Sequence, residues 1–151
     1  MINREATRKD AKIIEKMMTA LHKESRYKRF PIKKEKLFAF INNMISSDTS
    51  LVMLATEEKG IIGIFIANIS SMYFSDCTVA SDYYFYVSPK HRKNGVGTKL
   101  LDSYINWAKE KKVNDIALST STGISDEAIK KLAGKYEMVK VGLSYRMVNH
   151  V

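Results

Sequence analysis

The residue types best suited to chemistry fall in one stretch, from Tyr83-Tyr84-Phe85-Tyr86-Val87 through Pro89 to Arg92-Lys93-Asn94-Gly95-Val96-Gly97-Thr98. An aromatic, strand-forming run stops at Pro89, and a basic turn bearing Gly95 and Gly97 opens directly into an amphipathic pattern. The first amides of a helix lack intrahelical acceptors and carry partial positive charge. Glycine lets the backbone approach a phosphate closely, and Arg92 and Lys93 add full charges at the rim. The spacing suits a pyrophosphate cradle. A Walker loop is absent, and a dinucleotide fingerprint would need a third glycine where Leu100 stands. Gly-x-Gly alone equally fits an ordinary strand-to-helix connection. Other reactive side chains are sparse. Cys77 has no histidine at a recognisable pairing distance in sequence, and His22, His91 and His150 lie too far apart for metal-ligand spacing.

These residues need a scaffold to position them. A strand over Ile2–Glu5 precedes Thr7, an N-cap for a helix to about Lys23 with Ala11, Ile14, Met17, Met18 and Leu21 at helical spacing. Glu24–Ile32, polar and aromatic and broken by Pro31, reads as a loop, and Lys33–Ile45 as a second helix. Leu51–Ala55 and Ile61–Ile69 are strands joined in a hairpin through Glu57-Glu58-Lys59-Gly60, and Val79–Val87 is a further strand. A long helix over about Gly95–Lys111 shows Val96, Leu100, Leu101, Tyr104 and Ala108 on one stripe. Ile116–Thr120, Asp126–Ala133 and Val139–Val148 read as strand, helix and strand. The expectation is an α+β (mixed α/β) layer fold, its six to seven strands mostly antiparallel and flanked by about four helices.

Composition narrows the class. At 151 residues, 45% hydrophobic and 27% charged, the chain fits a single globular domain, 1–151, rather than a disordered segment. No apolar run approaches the roughly 20 residues of a membrane span, and a lone cysteine suits a reducing, cytoplasmic setting. A net charge of +9, from 25 Lys+Arg against 16 Asp+Glu, favours anionic partners or simply solubility. Nucleic acid is one such partner, yet no nucleic-acid-binding motif accompanies the charge.

The wider pattern Val-x-Pro-x-x-Arg-x-x-Gly-x-Gly-x-x-Leu-Leu, Val87 to Leu101, resembles the coenzyme A signature of the GNAT superfamily of N-acetyltransferases. The likeness spans nearly the whole chain, from Arg4-Glu5-Ala6-Thr7 onward. His22–Pro31, Asp82–Val87, Trp107-Ala108-Lys109 and Gly142-Leu143-Ser144-Tyr145-Arg146 resemble small members common in bacteriophages. The resemblance implies acetyl transfer from acetyl-coenzyme A to an amine. It implies a bulged strand, Val79–Val87, splayed from its parallel neighbour Ile116–Thr120, with pantetheine between them. Backbone groups of Tyr86 and Val87 would bind it, the Val87 N–H polarising the thioester carbonyl. Arg92 and the amides of Lys93, Asn94, Gly95, Val96, Gly97 and Thr98 would hold the pyrophosphate. Asp82 stands where such members carry a glutamate base, and strand alternation sets it on one face with Tyr84 and Tyr86. A bulge would disturb that phase at Tyr86. His22, Tyr27 and Phe30 fall where an acceptor-binding loop lies.

Two departures qualify the likeness. The family's asparagine after the fifth strand is absent from Ser119-Thr120-Ser121-Thr122-Gly123, and its proton-donating tyrosine falls on Ala133, with Tyr136 one turn away. A weak or inactive coenzyme A-binding or partner-binding domain, possible association with nucleic acid included, is therefore the alternative function. An amine-bearing small molecule or protein is the expected acceptor, and a monomer or homodimer the expected assembly.

Overall fold

The computed structural model describes residues 1–124 and 126–149, so His150 lies outside it. Strand β1 (Ile2–Glu5) leads to Thr7, whose amide and hydroxyl both donate to the Asp10 carboxylate at 2.8 and 3.0 Å. Arg4 grips the same carboxylate at 2.8 Å, so one acid ties the strand to the next element. A 3-10 turn, Arg8–Asp10, intervenes before helix α1 (Ala11–Glu24), which therefore starts later than Thr7 alone implies. The expected loop contains a second 3-10 turn, Arg26–Arg29, opened by the Ser25 hydroxyl accepting from the Tyr27 amide. Helix α2 (Lys34–Ser46) follows.

Strands β2 (Ser50–Glu57), β3 (Gly60–Ser71) and β4 (Thr78–Val87) form the antiparallel centre of the sheet. Helix α3 (Val96–Glu110), β5 (Asp115–Ile116) and α4 (Asp126–Gly134) complete the order of elements. The strands run β1-β2-β3-β4-β5, antiparallel except for the parallel β4–β5 pair. Both faces of the sheet are covered, which is why β2 and β3 are apolar almost throughout. One face takes Leu51, Phe65, Ala67 and Ala80 against Leu100, Leu101, Tyr104 and Ala108 of α3. The other takes Val52, Leu54, Ile64 and Ile66 against Ile14, Met17 and Leu21 of α1 and Ile41 and Met44 of α2. Trp107 is buried beside Tyr104, a packing residue.

The sheet has five strands among the described residues, fewer than the six to seven expected. The strand expected at Ile116–Thr120 shrinks to two residues because its partner turns away after Ala80. Val139–Val148 has strand-like alternation but no ladder partner among the described residues. Val139, Val141, Leu143, Tyr145 and Met147 are all exposed, by 68% or more. An alternating pattern supplies a face, whereas a strand also needs a neighbour for its backbone groups.

Candidate active site

The site begins with a bulge. Ile66 pairs with Tyr84 but Ala67 pairs with Asp82, leaving Tyr83 as an extra residue in β4. An extra residue reverses the side-chain phase. Alternation from buried Ala80 carries Asp82 to the α3 face, whereas Tyr84 and Tyr86 pack with α1. The expected common face for these three residues is thus corrected: the phase breaks at Tyr83, before Tyr84 rather than at Tyr86.

The bulge coincides with a parting of strands. Pairing of β4 with β5 ends at Ala80 opposite Ile116, with one further bond from the Ala117 amide to the Ala80 carbonyl at 2.8 Å. The Tyr104 hydroxyl sits 2.8 Å from the carbonyl oxygens of both Ala80 and Ala117, pinning the fork from the α3 side. The next amide, Ser119, donates to the Asp82 carboxylate at 2.7 Å, and the Ser119 hydroxyl donates to it at 3.1 Å. A side chain therefore replaces a ladder rung where the strands diverge. Burial pushes the Asp82 carboxyl above its ordinary range, and the two Ser119 bonds oppose that shift only in part.

Beyond the fork, one edge of β4 faces the gap. The Ser88 amide donates to Ile62 at 2.9 Å, and antiparallel alternation then turns the Val87 amide away from β3, toward the side that β5 has left. Tyr86, by the same alternation, has its backbone in the β3 ladder; its ring lies over the α1 face.

The turn leading to α3 follows at once. Pro89–His91 is a short 3-10 turn, Lys93 and Gly95 have φ of 71° and 77°, and Gly95 caps α3. Glycine occupies such a left-handed position without a Cβ clash. The first helical bond runs from the Lys99 amide to Gly95 at 3.1 Å, so the amides of Val96, Gly97 and Thr98 have no intrahelical acceptor. The two glycines have different surroundings. A Cβ on Gly95 would meet nothing within 4 Å, whereas one on Gly97 would lie 3.4 Å from the Phe85 ring and 3.8 Å from Leu132. Gly97 therefore lies beside Phe85 of β4 and Leu132 of α4, whereas Gly95 borders open space. The ammonium of Lys135, after α4, reaches within 3.5 Å of the Thr98 hydroxyl and adds a cation beside the first turn of α3.

Arg92 departs from its expected place at the rim. Its Nε donates to the Val87 carbonyl at 2.9 Å, and its Nη2 pairs with Glu24 at 2.8 Å. The guanidinium also lies over the Tyr86 ring, whose hydroxyl donates to the other Glu24 oxygen at 3.2 Å. Arg92 thus fastens the turn, β4 and the end of α1 together. Glu24 was hidden by its place in an expected loop. Gly63 was equally silent: it faces Val87 across the ladder, and a Cβ there would lie 2.9 Å from Leu100 Cδ1 and 3.2 Å from Val96 Cγ1. Its bareness lets α3 seat next to Val87.

On the α1 face a cleft of about 450 Å³ opens between α1, α2, the second 3-10 turn and the middle of β4. His22 and Tyr27 line it, as expected for an acceptor loop. Phe30 does not; it borders a smaller neighbouring cavity, and its carbonyl lies 2.8 Å from His22 Nε2. Tyr84 lines the cleft but commits its hydroxyl to the Met17 carbonyl at 3.0 Å, as a packing aromatic would. Tyr136 bonds Asp102 on α3, and burial together with that carboxylate pushes its phenol up to about 12. Among the described residues no cluster of three His, Cys, Asp or Glu side chains could hold a metal, and no helix is long and apolar enough to cross a membrane.

The site is thus a bulged strand parting from a parallel neighbour, with a glycine-capped helix at its end. The sequence profile described as Acetyltransferase (GNAT) family matches residues 15–132. The chain belongs to that family, and acetyl transfer from acetyl-coenzyme A to an amine is its reaction. No curated protein matches the sequence significantly. Solved structures similar to it include a predicted acetyltransferase with acetyl-CoA from Clostridium acetobutylicum (19% identity, 97% of this chain and 95% of that one, TM-score 0.76). An aminoglycoside acetyltransferase from an uncultured soil metagenomic sample (18%, 99% and 98%, 0.74) is another. A third is a ribosomal-protein-alanine N-acetyltransferase from Brucella melitensis biovar Abortus (14%, 99% and 100%, 0.71). At such identities they establish the fold alone.

Proposed function

We propose that catalysis occurs at the Val87 amide, with coenzyme A along the α3 turn and the acceptor amine entering from the cleft between α1, α2 and β4. One observation carries this reading: the Val87 amide turns toward the side where β4 and β5 part, next to the uncapped first turn of α3. The residues fit the cofactor, since Gly63 allows the close seat of α3 and the amides of Val96, Gly97 and Thr98 have no intrahelical acceptor. Bound acetyl-coenzyme A supplies an activated thioester.

The chain's own groups do the rest. Val87 N–H donates to the oxygen on which negative charge develops, a contribution of about 3–4 kcal/mol. Lys93, Asn94, Gly95, Val96, Gly97 and Thr98 offer amides to the pyrophosphate, Lys135 adds charge beside Thr98, and Arg92 holds the turn in register through Glu24. An ordinary lysine-type amine has a pKa of about 10.4 and must lose a proton before it attacks. Asp82, on the other face of the sheet at the fork, takes that proton through water in the gap between β4 and β5, its burial making it a better base than an exposed carboxylate. No residue need protonate the departing thiol, whose ordinary pKa is about 8.5. This suits the presence of Ala133 and the engagement of Tyr136 by Asp102. By the same proposal residues 1–151 act as one cytoplasmic domain of the small bacteriophage type.

Isothermal titration calorimetry of the full chain with acetyl-coenzyme A tests the reading. Micromolar binding is expected, with Gly95→Glu abolishing it in a protein that stays folded, since the new side chain meets no atom within 4 Å and its left-handed backbone costs only about 1–2 kcal/mol. Normal binding by Gly95→Glu would place the cofactor elsewhere.

A further inference from the structure

The lining of the acceptor cleft carries information about the acceptor. Its walls are largely apolar and aromatic, with Met18, Leu21, Leu37 and Phe40 from the two helices facing Tyr83 and Tyr84 of β4. Lys33 and Lys36 are its charged lining residues. Neither lysine is ion-paired among the described residues. Among the described residues no carboxylate lines the cleft. Three carboxylates adjoin lining residues in sequence: Glu24 is neutralised by Arg92 at 2.8 Å, Asp82 is held by the Ser119 amide at 2.7 Å, and Glu35 is exposed on α2. The positive field continues outward, because the adjoining cavity, which shares Tyr27, is bordered by Arg26, Arg29 and Arg146.

Such a site disfavours a polycation. Beyond the reacting amine, each further ammonium on an aminoglycoside-like or polyamine acceptor would enter a cleft lined by two lysines and no carboxylate. An apolar or aromatic group would bury well against the walls, and a carboxylate would find Lys33 and Lys36. We infer that the acceptor is a small amine built on an apolar or aromatic group and bearing a carboxylate, as in an aromatic α-amino acid or a short acidic peptide. The inference rests on the acetyltransferase reading and deepens it. The chemistry balances simply: the amine nitrogen bonds to the acetyl carbon, the carbon–sulfur bond breaks, and one proton leaves the nitrogen as the thiol is released.

Thiol release by the full chain with acetyl-coenzyme A would be followed with L-phenylalanine, L-tryptophan, the dipeptide phenylalanyl-glutamate, the corresponding carboxamides, kanamycin and spermidine. Turnover is expected with at least one carboxylate-bearing amine, with KM at least tenfold higher for its carboxamide, and little or none with the two polycations. The exposed pair Lys33→Glu/Lys36→Glu should raise that KM tenfold or more and admit spermidine, with KM for acetyl-coenzyme A within twofold. Lys33→Gln/Lys36→Gln serves if the reversal unfolds the chain. Preference for kanamycin or spermidine, indifference to the carboxamide, an unchanged preference in the lysine variants, or bound cofactor with no turnover of any carboxylate-bearing amine would each overturn the inference alone. Absence of acetyl-coenzyme A binding by calorimetry would instead overturn the underlying reading, and the inference with it.

Discussion

Replacing Asp82 separates a base from a strut. In Asp82→Asn the amide oxygen can still accept the Ser119 N–H that now sits at 2.7 Å, and the Ser119 hydroxyl can rotate to accept from the new NH2 group. The fork between β4 and β5 keeps both contacts as neutral hydrogen bonds, each worth about 0.5–1.5 kcal/mol. Burial already opposes the charge on Asp82, so its removal relieves a desolvation penalty that offsets the lost charge assistance. Stability at neutral pH should therefore change by less than about 1 kcal/mol, or roughly 2–4 °C in Tm for a chain of this size. Activity should respond quite differently. General-base catalysis contributes about 10²–10⁴-fold, or roughly 3–5 kcal/mol of barrier. The expected result is kcat down at least a hundredfold with KM for acetyl-coenzyme A unchanged. The parent's kcat should also fall as pH drops through a pKa above the ordinary aspartate value of about 3.9, and Asp82→Asn should lack that limb. Asp82→Ala should lose the contacts as well, lowering stability by about 1–3 kcal/mol. If Asp82→Asn retains kcat within threefold of the parent, Asp82 is a strut and another group takes the proton.

Gly63→Ala places a Cβ 2.9 Å from Leu100 Cδ1 and 3.2 Å from the Tyr86 carbonyl, so the Leu100 side chain must turn aside and the β4 backbone must give by a few tenths of an ångström. Overpacking of this kind costs about 1–3 kcal/mol; chemical denaturation should register it, and unchanged stability would show that α3 does not seat as described. Asp10 predicts an acid-side effect. Its hydrogen bond to Arg4, with further bonds from Thr7, holds its pKa far below the unfolded value of about 3.9. The folded state therefore binds fewer protons, and this contribution is complete above about pH 5 and declines as pH falls through the unfolded value. Asp10→Asn should lower Tm at pH 7 and narrow its gap to the parent below pH 4; a constant gap would refute the assignment.

Much of the scaffold was legible because helix periodicity and turn chemistry act between residues a few positions apart. Val96, Leu100, Leu101, Tyr104 and Ala108 were readable as one stripe, and all five are buried. Gly95 stood out beside Pro89 and the basic run, whereas its left-handed φ of 77° came from the structure. The surroundings of Gly97 were not legible, since Phe85 and Leu132 come near it only through packing.

What the sequence by itself determined was which segments present an apolar face, where the chain turns, and that a glycine-bearing turn opens the long helix. Only the tertiary structure decided the face on which Asp82 sits, because one unpaired residue, Tyr83, is visible only as register against β3. The structure alone joined Arg92 to Glu24, far apart in the chain. It also left the alternating residues of Val139–Val148 without a ladder among the described residues. Periodicity is a property of one segment, whereas register, ion pairing and strand formation belong to two segments at once, and long-range packing alone brings them together.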